Sequence, residues 1–313
     1  MNTNDNIFGQ SIDLSARFHK VMINTKFPKM SKTVKGLVKD IEIKNRSEVG
    51  KSLKETGPIL YADSPLWDAV KKAKNAVVST HNKMTSVWDD SGWRLLSTAK
   101  WNEYHNTIQP LINAFNNAAD ALAADFDNMV IASQSRLADL FAPEDYPRTA
   151  TEFRACFVIK PNRESVPKLD DAKRLGTVLP VEEIEEMKRD MEAAYRDNLE
   201  RINTQNWELL YTHTSKLANS LVNWSQGNQK SIKKTLLEEI EKACQFCTQF
   251  NASNDPKLAA MVEDIRNNLL TVDMDTIREN PDVAKTVIAA ASNARDKAMT
   301  GMNNIRGFMG SVN

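Results

Sequence analysis

Three cysteines in 313 residues (Cys156, Cys244, Cys247) are too few for a disulfide framework, and a reducing compartment, the cytoplasm, is the simpler expectation. Glycine and proline are also scarce, with 10 and 11 residues, and aromatic residues make up only 7%. An all-β fold needs many turns, so this composition argues against one. No apolar run approaches the ~18–20 residues of a membrane-crossing helix. The segment MNTNDNIFGQ lacks the basic and apolar stretches of a secretory signal. Net charge is absent too: Lys+Arg and Asp+Glu both number 41, so the overall balance names no partner.

The distribution of charge is uneven. Eleven basic and three acidic residues lie between Arg17 and Lys54. Lys26, Lys29, Lys32, Lys35 and Lys39 recur every three or four positions, and on a helix they would form one stripe able to follow a phosphate backbone. Only Phe18 and Phe27 stand near them, so base stacking has little support. A solvated lysine face, or pairing with the acidic 182–192 segment, is the plainer reading. Within this region HKVMINTKF (19–27) alternates roughly as a strand does, while GLVKDIEIK (36–44) fits strand or helix equally.

From Ser64 the periodicity turns helical. Ser64-Pro65 is an N-cap followed by proline at the first helical position. Leu66, Val70, Ala73, Val77, Met84 and Trp88 then mark one apolar stripe on a helix of about 24 residues. Asp89-Asp90-Ser91-Gly92 should break it. A second helix is expected from near Ser97 towards Phe141, striped by Trp101, Tyr104, Ile108, Leu111, Phe115, Ala118, Leu122, Phe126 and Met129. Pro110 inside it predicts a kink. Two striped helices joined by a short polar turn should pack antiparallel.

FRACFVIK (153–160), bounded by Pro161, is the best strand candidate and could pair with 19–27. After Pro180 a helix opens on Glu182, Glu183, Glu185 and Glu186, which suit the positive end of its dipole. It should run to Gly227 on Ile184, Met187, Met191, Tyr195, Ile202, Leu209, Leu217, Leu221 and Trp224. Further helices are expected from Ser231 to about Phe250, from Pro256 to about Leu270, and from Pro281 to about Arg306.

No complete catalytic motif emerges. Gly50-Lys51-Ser52 lacks the earlier glycine of a phosphate-binding loop, since Asn45 stands there. Cys244 and Cys247 form a CxxC without two further ligands and share a helix face, where cysteine packs as a small apolar residue. His81 and His105 could face each other across the hairpin, but each falls beside its stripe, and His19 and His213 are remote. No cofactor is implied.

Leu66-Trp67-Asp68-Ala69-Val70, Asp89-Asp90-Ser91-Gly92-Trp93-Arg94-Leu95-Leu96, Arg136-Leu137-Ala138-Asp139-Leu140-Phe141, Asp145-Tyr146-Pro147 and Phe153-Arg154 follow in that order. Over roughly residues 20–225 the chain resembles a phage and mobile-element family known only as a domain of unknown function. Members are often encoded beside a MoxR-type AAA+ ATPase and a von Willebrand A-domain protein. The resemblance implies a ring-ATPase partner by analogy, carries no catalytic residues, and for a phage protein would mean the host cytoplasm.

The expected fold is therefore mainly α: a long antiparallel, coiled-coil-like helical hairpin, a C-terminal helical bundle and a small sheet at one end. Residues 1–60 are a basic N-terminal region with short strands. Residues 61–230 hold the hairpin, the strand insertion and the returning helix, and 231–313 the C-terminal helices. The expected function is that of a non-enzymatic scaffold or adaptor acting through protein partners, with oligomers conceivable and no membrane partner. Trp93 and Arg94, at the turn, are the candidate contact point, because an aromatic beside an arginine is the composition of binding hot spots. A nucleic-acid-binding accessory protein using the five lysines, or a virion component, are the alternatives.

Overall fold

The computed structural model describes residues 14–28, 31–33, 56–58, 64–137, 141–167 and 180–309. Its strands are β1 (Phe18–Lys26), β2 (Ser31–Thr33), β3 (Thr56–Pro58), β4 (Ser86–Val87), β5 (Arg94–Ser97) and β6 (Val158–Ser165). Its helices are α1 (Pro65–Met84), α2 (Trp101–Ala124), α3 (Phe126–Leu137), α4 (Ala150–Arg154), α5 (Val181–Ser225), α6 (Thr235–Gln249), α7 (Pro256–Leu269), α8 (Met274–Glu279) and α9 (Pro281–Met309). The fold is thus mainly helical, with a four-stranded sheet in the order β4-β5-β1-β6 and a separate β2-β3 pair. The chain divides into two compact units, each assembled from separated stretches.

One unit holds residues 22–84 and 101–162, with α1 and α2 at its centre. Val70 and Val77 of α1, and Tyr104, Ile108, Ile112, Phe115, Ala119 and Leu122 of α2, are buried at helical spacing. His81 near the end of α1 meets Tyr104 near the start of α2, with Nδ1 and the hydroxyl 2.8 Å apart. At the opposite ends Trp67 packs on Phe157, which packs on Phe153, which packs on Phe126. This is the expected antiparallel pair, with Trp67 rather than Leu66 turned inward. α2 runs unbroken through Pro110; the interruption falls at Asp125, whose carboxylate takes a hydrogen bond from Asn128 Nδ2 at 2.8 Å as α3 begins.

The connection between α1 and α2 corrects the sequence reading. α1 stops at Met84, and Thr85–Lys100 is a β-hairpin belonging to the other unit. β4 and β5 pair as Ser86↔Leu95 and Val87↔Arg94, and β5 pairs with β1 from Phe18↔Ser97 to Val21↔Arg94. The strand expected over 153–160 is also shifted. Thr149 caps α4 by accepting from the Glu152 backbone N–H, so 150–154 is helical and the strand begins at Val158. It passes through Pro161 because β6 is the outer strand of its sheet, where a missing N–H costs no ladder bond. It does lie beside β1, as anticipated. The 36–44 segment lies outside the described residues.

The other unit holds the start of β1, the β4–β5 hairpin, the end of β6 and everything from α5 onward. Leu199, Ile202, Asn206, Leu210, Thr214, Leu217 and Leu221 form the buried stripe of α5. The small side chains Ala284, Ala291, Ala294 and Ala298 of α9 pack along the same core, with α6 and α7 closing it. Gly301 of α9 lies directly on the Trp207 indole. The boundaries of α7 and α9 follow the sequence expectation closely, while α6 begins at Thr235 rather than Ser231; α8 was not foreseen, although Asp273 caps it through the N–H groups of Asp275 and Thr276. A smaller core of Leu14, Phe18, Trp88, Leu95, Val166, Leu199, Ile202 and Phe250 fixes the hairpin to α5.

Candidate functional site

The β4–β5 tip is built on local hydrogen bonding. Asp89 Oδ1 accepts from the Ser91 N–H at 3.0 Å, the Ser91 hydroxyl at 2.6 Å and the Trp93 N–H at 3.2 Å. Gly92 supplies the positive φ, 95°, that the reversal needs. The hairpin is then tied to α5. Gln205 Oε1 accepts from Ser86 Oγ and the Val87 N–H, both at 2.9 Å, and Arg201 grips Asp90 in a two-pronged ion pair. That guanidinium holds the Asp90 carboxyl below its ordinary range.

Trp93 and Arg94 are engaged within their own unit. Lys20 Nζ lies 4.7 Å from the Trp93 ring centroid while pairing with Glu164 at 3.0 Å, and the half-buried ring packs against the core around Trp88. Arg94 donates from Nε to Thr85 Oγ1 and from Nη2 to the Thr85 carbonyl, both at 2.7 Å, and burial lowers its pKa. The pair thus closes the base of the hairpin.

Lys26 ends β1 and is exposed, and Lys32 stands on β2 opposite Gly57. A helical lysine stripe is corrected at these two positions, because Lys26 and Lys32 stand on two different strands rather than on one helix. Lys29, Lys35 and Lys39, and Gly50-Lys51-Ser52, lie outside the described residues.

Both α6 cysteines are fully buried, and burial pushes the Cys244 thiol up to about 12 and Cys247 higher still. Cys247 Sγ donates to the Asn206 carbonyl at 3.4 Å. His81 is partnered by Tyr104, while His105 is exposed and stacks on Trp101. His19 receives a hydrogen bond from Arg163 at 2.8 Å, and desolvation followed by that charge lowers its pKa.

One feature escaped the sequence reading. Tyr195, expected inside, is half-buried, packs on Trp88 and accepts from the Leu14 N–H at 3.3 Å. Ile184, Met187 and Met191 were also expected inside, yet the first buried residue of α5 is Leu199. The 18 residues before it, about 27 Å at 1.5 Å per residue, keep the apolar stripe but bury none of it completely. Val181 is 67% exposed. The density of carboxylates flanking this stripe was the available signal.

Compared with protein-family models, curated proteins and solved structures, the chain matches none.

Proposed function

We propose that this chain is a helical scaffold or adaptor that works by binding other proteins rather than by catalysis. The observation that carries the reading is α5. It runs for 45 residues, and its first 18, which bury no side chain completely, carry Val181, Ile184, Met187 and Met191 on one side. Helices that present an apolar stripe in this way are a recurrent means of protein recognition. Methionine suits the role because its flexible thioether adapts to a partner surface. The resemblance noted above would make that partner a ring ATPase.

The test is affinity purification of the tagged full chain from the cells that naturally express it, after mild cross-linking. Recovery of a protein in near-stoichiometric amount is expected. A chain recovered alone, from cells in which it is folded and abundant, refutes the adaptor reading.

A further inference from the structure

We infer that the groove between α6 and α7 is a binding site for a free α-amino acid with an apolar side chain, an inference independent of the adaptor reading above. The two helices leave a cavity of about 440 Å³ between them, a size typical of small-molecule sites. The side chains that meet there, Cys247 and Thr248 of α6 and Ala259 of α7, are short, so the helices do not fill the space. The floor is apolar: Cys247 and Leu258 are fully buried and Val262 nearly so. Thr248 and Ala259 are exposed, so the cavity opens to solvent. Its loop end is preformed. Asn251 Oδ1 accepts from the Asp255 N–H at 2.7 Å, and Asn251 Nδ2 donates to the Asp255 carbonyl at 2.9 Å.

The other end carries two groups of opposite charge. Glu263 and Arg266 both line the cavity, one helical turn apart on α7. Arg266 reaches towards α6, where Nη2 stands 3.7 Å from Glu241 Oε1, beyond hydrogen-bond length, and that oxygen already accepts from Gln245 Nε2 at 3.0 Å. Arg266 donates no hydrogen bond among the described residues, so its planar fork is open to a carboxylate. Glu263 is exposed and makes no ion pair among the described residues, so it can take an ammonium. A carboxylate and an ammonium on adjacent atoms, with an apolar chain beyond them, is the chemistry of an α-amino acid. The chain would lie along Val262 and Leu258, which precede Arg266 by four and eight residues on the same face, a run of about 12 Å. A phosphate dianion does not fit, because Glu241 and Glu263 oppose its second negative charge. A simple amine leaves the Arg266 fork unfilled, and a simple acid leaves Glu263 beside a like charge.

Isothermal titration of the full chain with three probes tests this: L-norleucine, hexanoate, which lacks its amino group, and pentylamine, which lacks its carboxyl group. Norleucine should bind saturably, and each of the other two at least about tenfold more weakly, since each loses a charge-assisted hydrogen bond. Glu263→Gln should remove the advantage of norleucine over hexanoate, and Arg266→Gln its advantage over pentylamine. Ala259→Phe should fill the groove and abolish binding of all three. Glu263 and Ala259 are exposed, so these variants keep their core, as far-UV circular dichroism will show. If Arg266→Gln unfolds the chain, the three probes on the unaltered protein still decide. No saturable norleucine binding, equal binding of the three probes, or norleucine binding unchanged by Ala259→Phe overturns the assignment.

Discussion

Gly301→Ala sets two effects of opposite sign against each other, and the structure decides which wins. Inside a helix, alanine is favoured over glycine by about 1 kcal/mol. At position 301 the added Cβ would meet the Trp207 indole, nearest to Cε3 and only 2.5 and 2.6 Å from Cζ3 and Cδ2. Carbon atoms normally touch at about 3.5–4.0 Å, so helix and ring would have to part by about 1 Å. Trp207 is 5% exposed and is held in the core with Leu210, Ala294 and Ala298. A rigid buried indole cannot swing aside as a flexible side chain would, which places the overpacking cost near the upper end of about 1–3 kcal/mol. The net expectation is destabilisation by about 2 kcal/mol, read from the urea midpoint of the far-UV signal. In a Trp207→Leu background the clash is relieved, and Gly301→Ala should become neutral or stabilising by up to about 1 kcal/mol. An increase in midpoint in the wild-type background would refute the close approach of α9 to α5.

Phe115→Ala should cost about 3–5 kcal/mol, because the ring is fully buried in the α1–α2 unit; a loss below about 1 kcal/mol in denaturant unfolding would show that the stripe is not core. Arg94→Leu removes two donors from Thr85, which is itself buried, and should lower stability by about 1–3 kcal/mol, with an unchanged midpoint counting against the closure of the hairpin base. Trp93→Ala should lower the thermal midpoint by several degrees and leave partner recovery intact; the opposite result would restore the hairpin tip as a contact point. His19 and His213 both have pKa values below the ordinary 6.5, in each case chiefly through desolvation, so the unfolded chain binds more protons between those lowered values and 6.5. Stability should therefore fall as pH drops below about 6.5, and His19→Gln with His213→Gln should flatten urea midpoints measured across that window.

The helices were legible because their stripes are long and their caps are local. Pro256 and Pro281 announced α7 and α9, and Pro180 with its following glutamates announced α5. The β4–β5 hairpin was hidden by coincidence of spacing. Trp88 follows Met84 by four residues and so prolongs the α1 stripe, although Thr85-Ser86-Val87 carries two β-branched residues and Asp89–Gly92 is as good a hairpin turn as a helix stop. What decides between them is non-local: β5 pairs with β1, more than 70 residues earlier in the chain, and Gln205 and Arg201 hold the hairpin from α5. The α4 start was readable after all, since Thr149 and Glu152 stand at the spacing of a capping box, but the apolar run FRACFVIK outweighed it.

The candidate site was less legible than the fold for a related reason. Hydrophobic periodicity reports that a face wants cover but not what covers it. Ile184 and Ile202 look alike in sequence, with the same helix and the same stripe, yet Ile202 is fully buried and Ile184 is not. The difference lies in their neighbours. Around Ile202 the side chains Leu199, Asn203 and Asn206 are all buried; Asn203 Oδ1 accepts from Ser253 Oγ and Asn206 Nδ2 donates to the Phe250 carbonyl, so that face is anchored within the chain. Around Ile184 stand Glu183 and Glu185, which make no ion pair among the described residues. Carboxylates set immediately beside a stripe oppose its full burial, because desolvating them would cost more than the apolar contact returns. Flanking charge, read together with the stripe, is therefore the sequence signal that separates the two halves of α5.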